Sequence, residues 1–271
     1  MIAIASDGTR LHYIVDGTGP PLVLVGGKTS DIDGAWWRYL TPPSPHRGRL
    51  IPALAQRLEV IALDNRGSGA SDRPDTPYST RLMADDALAV LHDARETSAH
   101  WFGLSMGGMI LQQLALRHPD AVRSLILGAT HCGGERKPAT STRDSQVVQG
   151  PLRRFANLYD AGFIANHSDW VEEDAKHFGK MPLHAVVRQD QAVKGHNLCG
   201  RLGEIRQPVL IIHGRQDRMV PVARAEELRR ALPNARLQIL EGAGHQVHSE
   251  QLSTVLPLVL NFVEEVERGR R

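Results

Sequence analysis

Apolar positions follow two rhythms along this chain. Five short unbroken runs stand out: PLVLV at 21–25, EVIALD at 59–64, AHWFGLS at 99–105, VRSLILGAT at 122–130 and PVLIIHG at 208–214. They have strand length and little alternation, as expected of strands buried on both faces. The second rhythm is helical. It appears in IPALAQRL (51–58), STRLMADDALAVLHDA (79–94, with Ser79 as a candidate cap), MGGMILQQLALRHP (106–119, stopped by Pro119), VARAEELRRALP (222–233) and QLSTVLPLVLNFVEEV (251–266). ARLQILEG at 235–242 reads as one more strand. At the start, IAIAS and RLHYIVDG flank Asp7-Gly8 and predict a hairpin.

Strand and helix alternate, so the expected fold is α/β: an open, mostly parallel sheet with helices on both faces. Residues 134–205 break the alternation, carrying helix-like pieces and scattered aromatics, Trp170 among them, without strong strand signals. An inserted helical cap is the expectation there, with a core formed by residues 1–133 and 206–271. At 271 residues, one domain with an insertion also suits the length. A long loop is expected after the first buried strand, at 28–50, with Pro42, Pro43 and Pro45.

That first strand ends ambiguously. In PLVLVGGKTS, Gly27-Lys28-Thr29 resembles the end of a phosphate-binding loop, and VIALD resembles a strand ending in a magnesium-binding Asp. The motif G-x-x-x-x-G-K-[ST] requires its first glycine at position 22, where Leu22 stands, and the intervening residues are strand formers. Nucleotide binding is therefore set aside.

A stronger signal is Gly103-Leu104-Ser105-Met106-Gly107, a G-x-S-x-G pattern between a strand and a helix. There a serine sits on a sharp turn, flanking glycines let backbones approach, and the following helix directs free amides toward the hydroxyl. HGRQDRMVP places Asp217 in the loop after a later strand, and GAGHQVHSEQ places His245 after the next. Serine, acid, histidine is the chain order of one known triad arrangement. With DNRGSGASD, GLSMGGM, HGRQDRMVP and GAGHQVHSEQ in order, the chain resembles the α/β-hydrolase superfamily over essentially its full length.

The resemblance implies an α/β-hydrolase fold and roles for particular residues. Ser105 would be the nucleophile, His245 the base that takes its proton and Asp217 the group that orients the histidine. The loop after PLVLV would supply one backbone donor of an oxyanion hole, the amide of Lys28 with Gly27 next in line. The amide of Met106 would supply the other. Where the family commonly has His-Gly, this chain has Gly26-Gly27. The likeness points most to enol-lactonase and esterase branches, hence to a cofactor-independent hydrolase of an ester or lactone of a small organic molecule. Carbon–carbon bond hydrolysis, thioester cleavage or cyclisation, and a non-catalytic ligand-binding role remain alternatives on this scaffold.

Other residues have blander readings. Asp64, Arg66 and Asp72 are expected to shape the loop beside the site, and Asp31 and Asp33 to be solvated or turn-forming. His131 and His213 lack ligand-like spacing, so no metal is expected, and His213 is placed at the sheet rim. His248 is the weaker candidate base. Trp36, Trp37 and Trp170 either line a pocket or pack ordinarily, and the 38–49 loop either gates the pocket or covers surface.

Composition narrows the partners. A net charge of +2 without long like-charged blocks gives no reason to expect nucleic acid or a membrane surface. No run reaches membrane-span length, and the N-terminus lacks a secretory pattern. Two cysteines, Cys132 and Cys199, imply no disulfide framework, and Cys132 is read as a small buried core residue in preference to a reactive thiol. A reduced, cytoplasmic protein acting on a small molecule is expected, with a homo-oligomer left open.

Overall fold

A computed structural model describes residues 1–32, 50–134, 156–177 and 181–270. Expectations for Asp33, Trp36, Trp37 and the 38–49 loop lie outside the described residues.

Among the described residues eight strands form one sheet. They are β1 (Ile2–Ile4), β2 (Arg10–Asp16), β3 (Pro21–Val25), β4 (Glu59–Leu63), β5 (Ala99–Leu104), β6 (Val122–Gly128), β7 (Val209–Gly214) and β8 (Ala235–Leu240). Their spatial order is β1-β2-β4-β3-β5-β6-β7-β8. β1 and β2 form the expected hairpin, β2 runs antiparallel to β4, and every pairing from β4 through β8 is parallel. The unbroken apolar runs are the central strands, and all residues of β3, β5 and β7 are buried. Edge strand β8 alternates instead, with its middle residues partly or fully exposed.

The helices are α1 (Leu50–Leu54), α2 (Thr80–Asp93), α3 (Met106–Arg117), α4 (Ala161–Asn166), α5 (Ser168–His177), α6 (Leu183–Lys194), α7 (Ala223–Ala231), α8 (Val247–Glu250) and α9 (Leu252–Arg270). Side-chain alternation along the strands feeds two cores. Val23 and Val25 of β3, with Trp101 of β5, pack against α2, α3 and α7. Leu22 and Leu24, with Phe102, pack against α1 and α9. Ser79 caps α2 by accepting the amide of Leu82 at 3.1 Å. None of the helices among the described residues is long and apolar enough to cross a membrane.

This topology positions a site. β3 lies between β4 and β5, and the chain leaves it in both directions: to one side through β4, to the other through β5 and β6. Loops after β3 and β5 therefore diverge at the carboxyl edge, leaving the crevice where open α/β sheets bind ligands.

Between β6 and β7 the described residues form α4, α5 and α6 and add no strand to the sheet. The two ends of this excursion meet. Gly133 bridges Asn197, the amide of Leu198 donates to the Cys132 carbonyl at 2.7 Å, and Cys132 and Cys199 are joined by a disulfide. This corrects the expectation of unpaired, reduced thiols. A count of two cysteines says nothing about their proximity, and here the excursion itself brings together residues 67 apart in sequence. The pairing also removes the argument from free thiols for a reducing compartment.

Candidate active site

Ser105 joins β5 to α3 and has φ 54° and ψ −115°, a left-handed conformation that a non-glycine residue adopts only under constraint. The constraint is visible on both sides. Its amide donates to the Gly128 carbonyl at 2.8 Å, and its carbonyl accepts from Thr130 Oγ1 at 2.7 Å. Neighbouring glycines make the turn possible: a Cβ on Gly103 would stand 2.5 Å from the Gly107 carbonyl carbon, and one on Gly107 would overlap the Val25 carbonyl. Although it precedes α3, Ser105 makes no side-chain capping bond, and it is partly accessible among buried neighbours. Its hydroxyl is thus not spent on the helix. Met106, the first residue of α3, has an amide with no partner one turn back, at the positive end of the helix.

Asp217 and His245 meet. The loop after β7 brings Asp217 and the loop after β8 brings His245, and His245 Nδ1 lies 2.8 Å from Asp217 Oδ2. Asp217 Oδ1 accepts the amides of Met219 and Val220, both at 2.8 Å. Burial alone would raise this carboxyl's pKa; the imidazoles of His245 and His213 overcome it and hold the group well below the usual carboxylate range. The anion accepts best from an Nδ1–H, so in the neutral imidazole the lone pair of His245 sits on Nε2. His248 is buried, but Asp217 pairs with His245.

His213 is the next-to-last residue of β7, at the carboxyl rim of the sheet. It is fully buried, and its Nε2 donates to the Val220 carbonyl at 2.8 Å while standing 3.4 Å from Asp217 Oδ2. It therefore braces the turn that presents the acid.

The loop after β3 lies against the Ser105 turn, since a Cβ on Gly107 would sit 2.9 Å from the Gly26 carbonyl oxygen. That carbonyl accepts from Asn65 Nδ2 at 3.0 Å, and the Gly27 carbonyl accepts from the Ser30 amide at 3.4 Å. In a planar trans peptide, the N–H points opposite the C=O. Each bond therefore turns an amide the other way, those of Gly27 and Lys28 respectively, the two residues expected to offer donors. The double glycine needs no unusual dihedral, for the left-handed residue is Thr29, with φ 64°. Thr29 is held from outside the sheet: its amide donates to Gln189 Oε1 of α6 at 2.8 Å, and Lys28 Nζ pairs with Asp190 of the same helix at 3.1 Å.

The DNRGSGASD segment frames this loop. Asp64 accepts from the amides of Ile32 (2.7 Å) and Ala70 (3.0 Å) and from His12 Nδ1 (2.8 Å). Arg66 is fully buried in a bidentate pair with Asp86 and also reaches Asp7, while Asp72 accepts the Arg10 amide. All three side chains are spent on shape. Trp170 is buried, its ring edge-on to Phe163 at 5.8 Å, and Nε1 has no acceptor among the described residues. His131 accepts the Gly133 amide. Among the described residues no group of three or more His, Cys, Asp or Glu side chains is arranged to hold a metal ion.

Four residues escaped sequence reasoning: Asn65, Gln189, His213 in its bracing role, and Glu250. Glu250 accepts the amides of Gly244 (3.0 Å to each oxygen), Gln246 (3.1 Å) and Asp160 (2.7 Å). Asn65, Gln189 and the Glu250–Asp160 contact act on backbone groups brought near only by folding, whereas His213 and the other Glu250 contacts are local but carry no recognisable pattern. The one available hint was the presence of Asn65, His213 and Glu250 inside segments already singled out.

Comparison with known proteins adds to this geometry. The alpha/beta hydrolase family matches residues 22–254. RutD of Caulobacter segnis, which carries a carbamate hydrolase name, is 31% identical over 225 residues, covering 79% of this chain and 84% of that protein. The 2-hydroxymuconate semialdehyde hydrolase of Pseudomonas sp. strain CF600 is 27% identical, covering 97% and 94%. Among solved structures, Est816, described as an N-acyl homoserine lactone degrading enzyme, superposes with a TM-score of 0.80 at 27% identity, covering 96% and 99%.

Proposed function

The chain belongs to the alpha/beta hydrolase family, and we propose that it is a serine hydrolase that cleaves an ester or lactone of a small organic molecule through an acyl-enzyme. The observation that carries this reading is a strained, partly accessible Ser105 at the carboxyl edge that also carries the Asp217–His245 pair.

In this reading Ser105 Oγ attacks the substrate carbonyl carbon and His245 Nε2 takes its proton. Asp217 holds the imidazolium through Nδ1–H. The carbonyl oxygen becomes an oxyanion that accepts from the Met106 amide and from Lys28 or Gly27. Collapse breaks the bond to the leaving oxygen, which His245 protonates. In a lactone that oxygen stays tethered to the acyl group. Water then gives a proton to His245 and attacks the acyl carbon, and collapse of that intermediate breaks the bond to Ser105 Oγ, which takes the proton back from His245. The α4–α6 excursion acts as a cap over the crevice and chooses the substrate. No step needs a cofactor.

Labelling by a fluorophosphonate tests the chemistry. Its mass should appear on Ser105 and be absent in Ser105→Ala, and a wild-type protein that stays unlabelled refutes the proposal. A panel of aryl esters, lactones, thioesters, diketones and carbamates then sets the substrate class. Carbamates are the second reading, favoured by the likeness to RutD. Turnover of carbamates alone would replace the first.

A further inference from the structure

Glu250 lies outside the proposed chemistry, yet its carboxylate collects more backbone amides than any group of the triad. Gly244 and Gln246, the residues on either side of His245, both donate to it. So does Asp160, on the segment entering the α4–α6 excursion, whose own side chain caps α4 by accepting from Gly162 and Phe163. A second tie runs parallel, because the amides of His245 (2.9 Å) and Gln246 (3.1 Å) both donate to the Leu158 carbonyl. The backbones are stacked without room for a side chain: a Cβ on Gly244 would lie 2.7 Å from the Asp160 amide nitrogen.

We propose that Glu250 is a positioning residue that locks the His245 loop to the segment entering the cap, so that the base is seated by the cap as well as by the sheet. This rests on the reading of His245 as the base. Both carboxylate oxygens face N–H donors, so a proton on either would point at a donor and break part of the clamp. The ionised form is therefore the one that holds the loop. Withdrawal from water raises this carboxyl's pKa from 4.5 to about 7, against the pull of the donating amides. Asp160 is the charged side chain facing it from the cap segment and pushes the same way. From the other elements His245 lies between the two amides it holds, and His248 lies on its own short helix, α8. The clamp thus loosens on acidification across neutrality.

The test compares wild type with Glu250→Gln, which keeps the shape but offers N–H groups where only acceptors fit. Misplacing a catalytic group by about 1 Å can cost about a hundredfold, so kcat should fall about ten- to a hundredfold with KM within about twofold. The acid limb of the kcat profile should also lose the component near neutrality. A folded Glu250→Gln with wild-type kcat and an unchanged profile overturns the proposal. Should that variant not fold, hydrogen exchange in the wild type decides. Protection of the Gly244, Gln246 and Asp160 amides, corrected for intrinsic rates, should drop between about pH 8 and pH 6, and constant protection overturns the proposal. If wild type fails to label at Ser105, the underlying hydrolase reading fails instead, whatever the exchange data show.

Discussion

Replacing Gln189 by leucine tests whether the cap helix sets the oxyanion loop. Gln189 is fully buried on α6 and uses both ends of its amide. It accepts from the Thr29 amide at 2.8 Å and donates to the Arg66 carbonyl and Ser68 Oγ, both at 3.0 Å. Leucine fills a similar volume but removes the partner of the buried Arg66 carbonyl and of the half-buried Thr29 amide, at about 1–3 kcal/mol each before relaxation, while Ser68 Oγ keeps Met181 Sδ. A loss of about 3–5 kcal/mol of stability is expected, readable as a lower urea midpoint at constant m. The catalytic effect is separate. Thr29, with its left-handed φ of 64°, adjoins Lys28, whose amide is a proposed donor. Without the Gln189 contact the loop can relax toward an unstrained conformation, and losing one oxyanion donor costs about 3–4 kcal/mol, or about 10²–10³ in kcat. Aryl-ester kinetics should show this fall in kcat with KM little changed, and a trifluoromethyl ketone, which forms a tetrahedral adduct on serine, should bind correspondingly weaker. Gln189→Glu keeps the acceptor facing Thr29 and should recover most of kcat while remaining destabilised. A folded Gln189→Leu with kcat within about threefold of wild type and unchanged inhibitor affinity would show that the oxyanion loop is set within the sheet alone.

The other expectations follow from single contacts. Lys28 and Asp190 pair with side chains 37% and 32% exposed, so Lys28→Ala should cost at most about 1 kcal/mol and leave aryl-ester kcat within a few-fold; a thousandfold loss would show that the ammonium takes part. The disulfide closes a span of 67 residues, worth about 4 kcal/mol by chain entropy, so Cys132→Ser with Cys199→Ser should lower the urea midpoint accordingly; an unchanged midpoint would mean that Gly133–Asn197 pairing alone secures the neck. Glu250 has a folded-state pKa raised from 4.5 to about 7, so between those values the folded protein binds more protons than the unfolded chain. Its contribution of about 3 kcal/mol is present below pH 4.5 and lost as pH rises through 7, so the stability of the wild type minus that of Glu250→Gln should fall by about that amount over the window, a difference from which the opposite slopes of His100 and His196 cancel.

Features that depend on local pattern were legible in the sequence. Unbroken apolar runs mark β3, β5 and β7 because strands with helices on both faces have no wet side. Ser105 announces itself because its turn requires glycine at 103 and 107, and Asp217 and His245 because each follows a strand of the same sheet. What stayed hidden is whatever acts across the fold on a backbone group. Gln189 is an ordinary polar residue in a helical stretch until α6 comes down on Thr29, and Glu250 looks like a solvated acid until three amides converge on it. The cysteines misled for the same reason: a spacing of 67 carries no hint that the ends of the excursion meet.

These hidden residues share a direction. Gln189 and Asp190 reach from α6 to the proposed oxyanion loop, Glu250 and the Leu158 carbonyl tie the histidine loop to the segment before α4, and Cys132–Cys199 closes the neck. The proposed cap is thus anchored beside the proposed oxyanion and base loops. Glu250 shows what such anchoring costs. Ionised, it holds the loop and subtracts from stability; protonated, it releases the loop and the fold gains. Raising the pH through neutrality should therefore move activity up while the stability of the wild type relative to Glu250→Gln moves down, a comparison in which the opposite contributions of buried His100 and His196, lowered to about 4, cancel. A wild-type stability that rises relative to Glu250→Gln over the range where activity rises would contradict both the clamp and its sign.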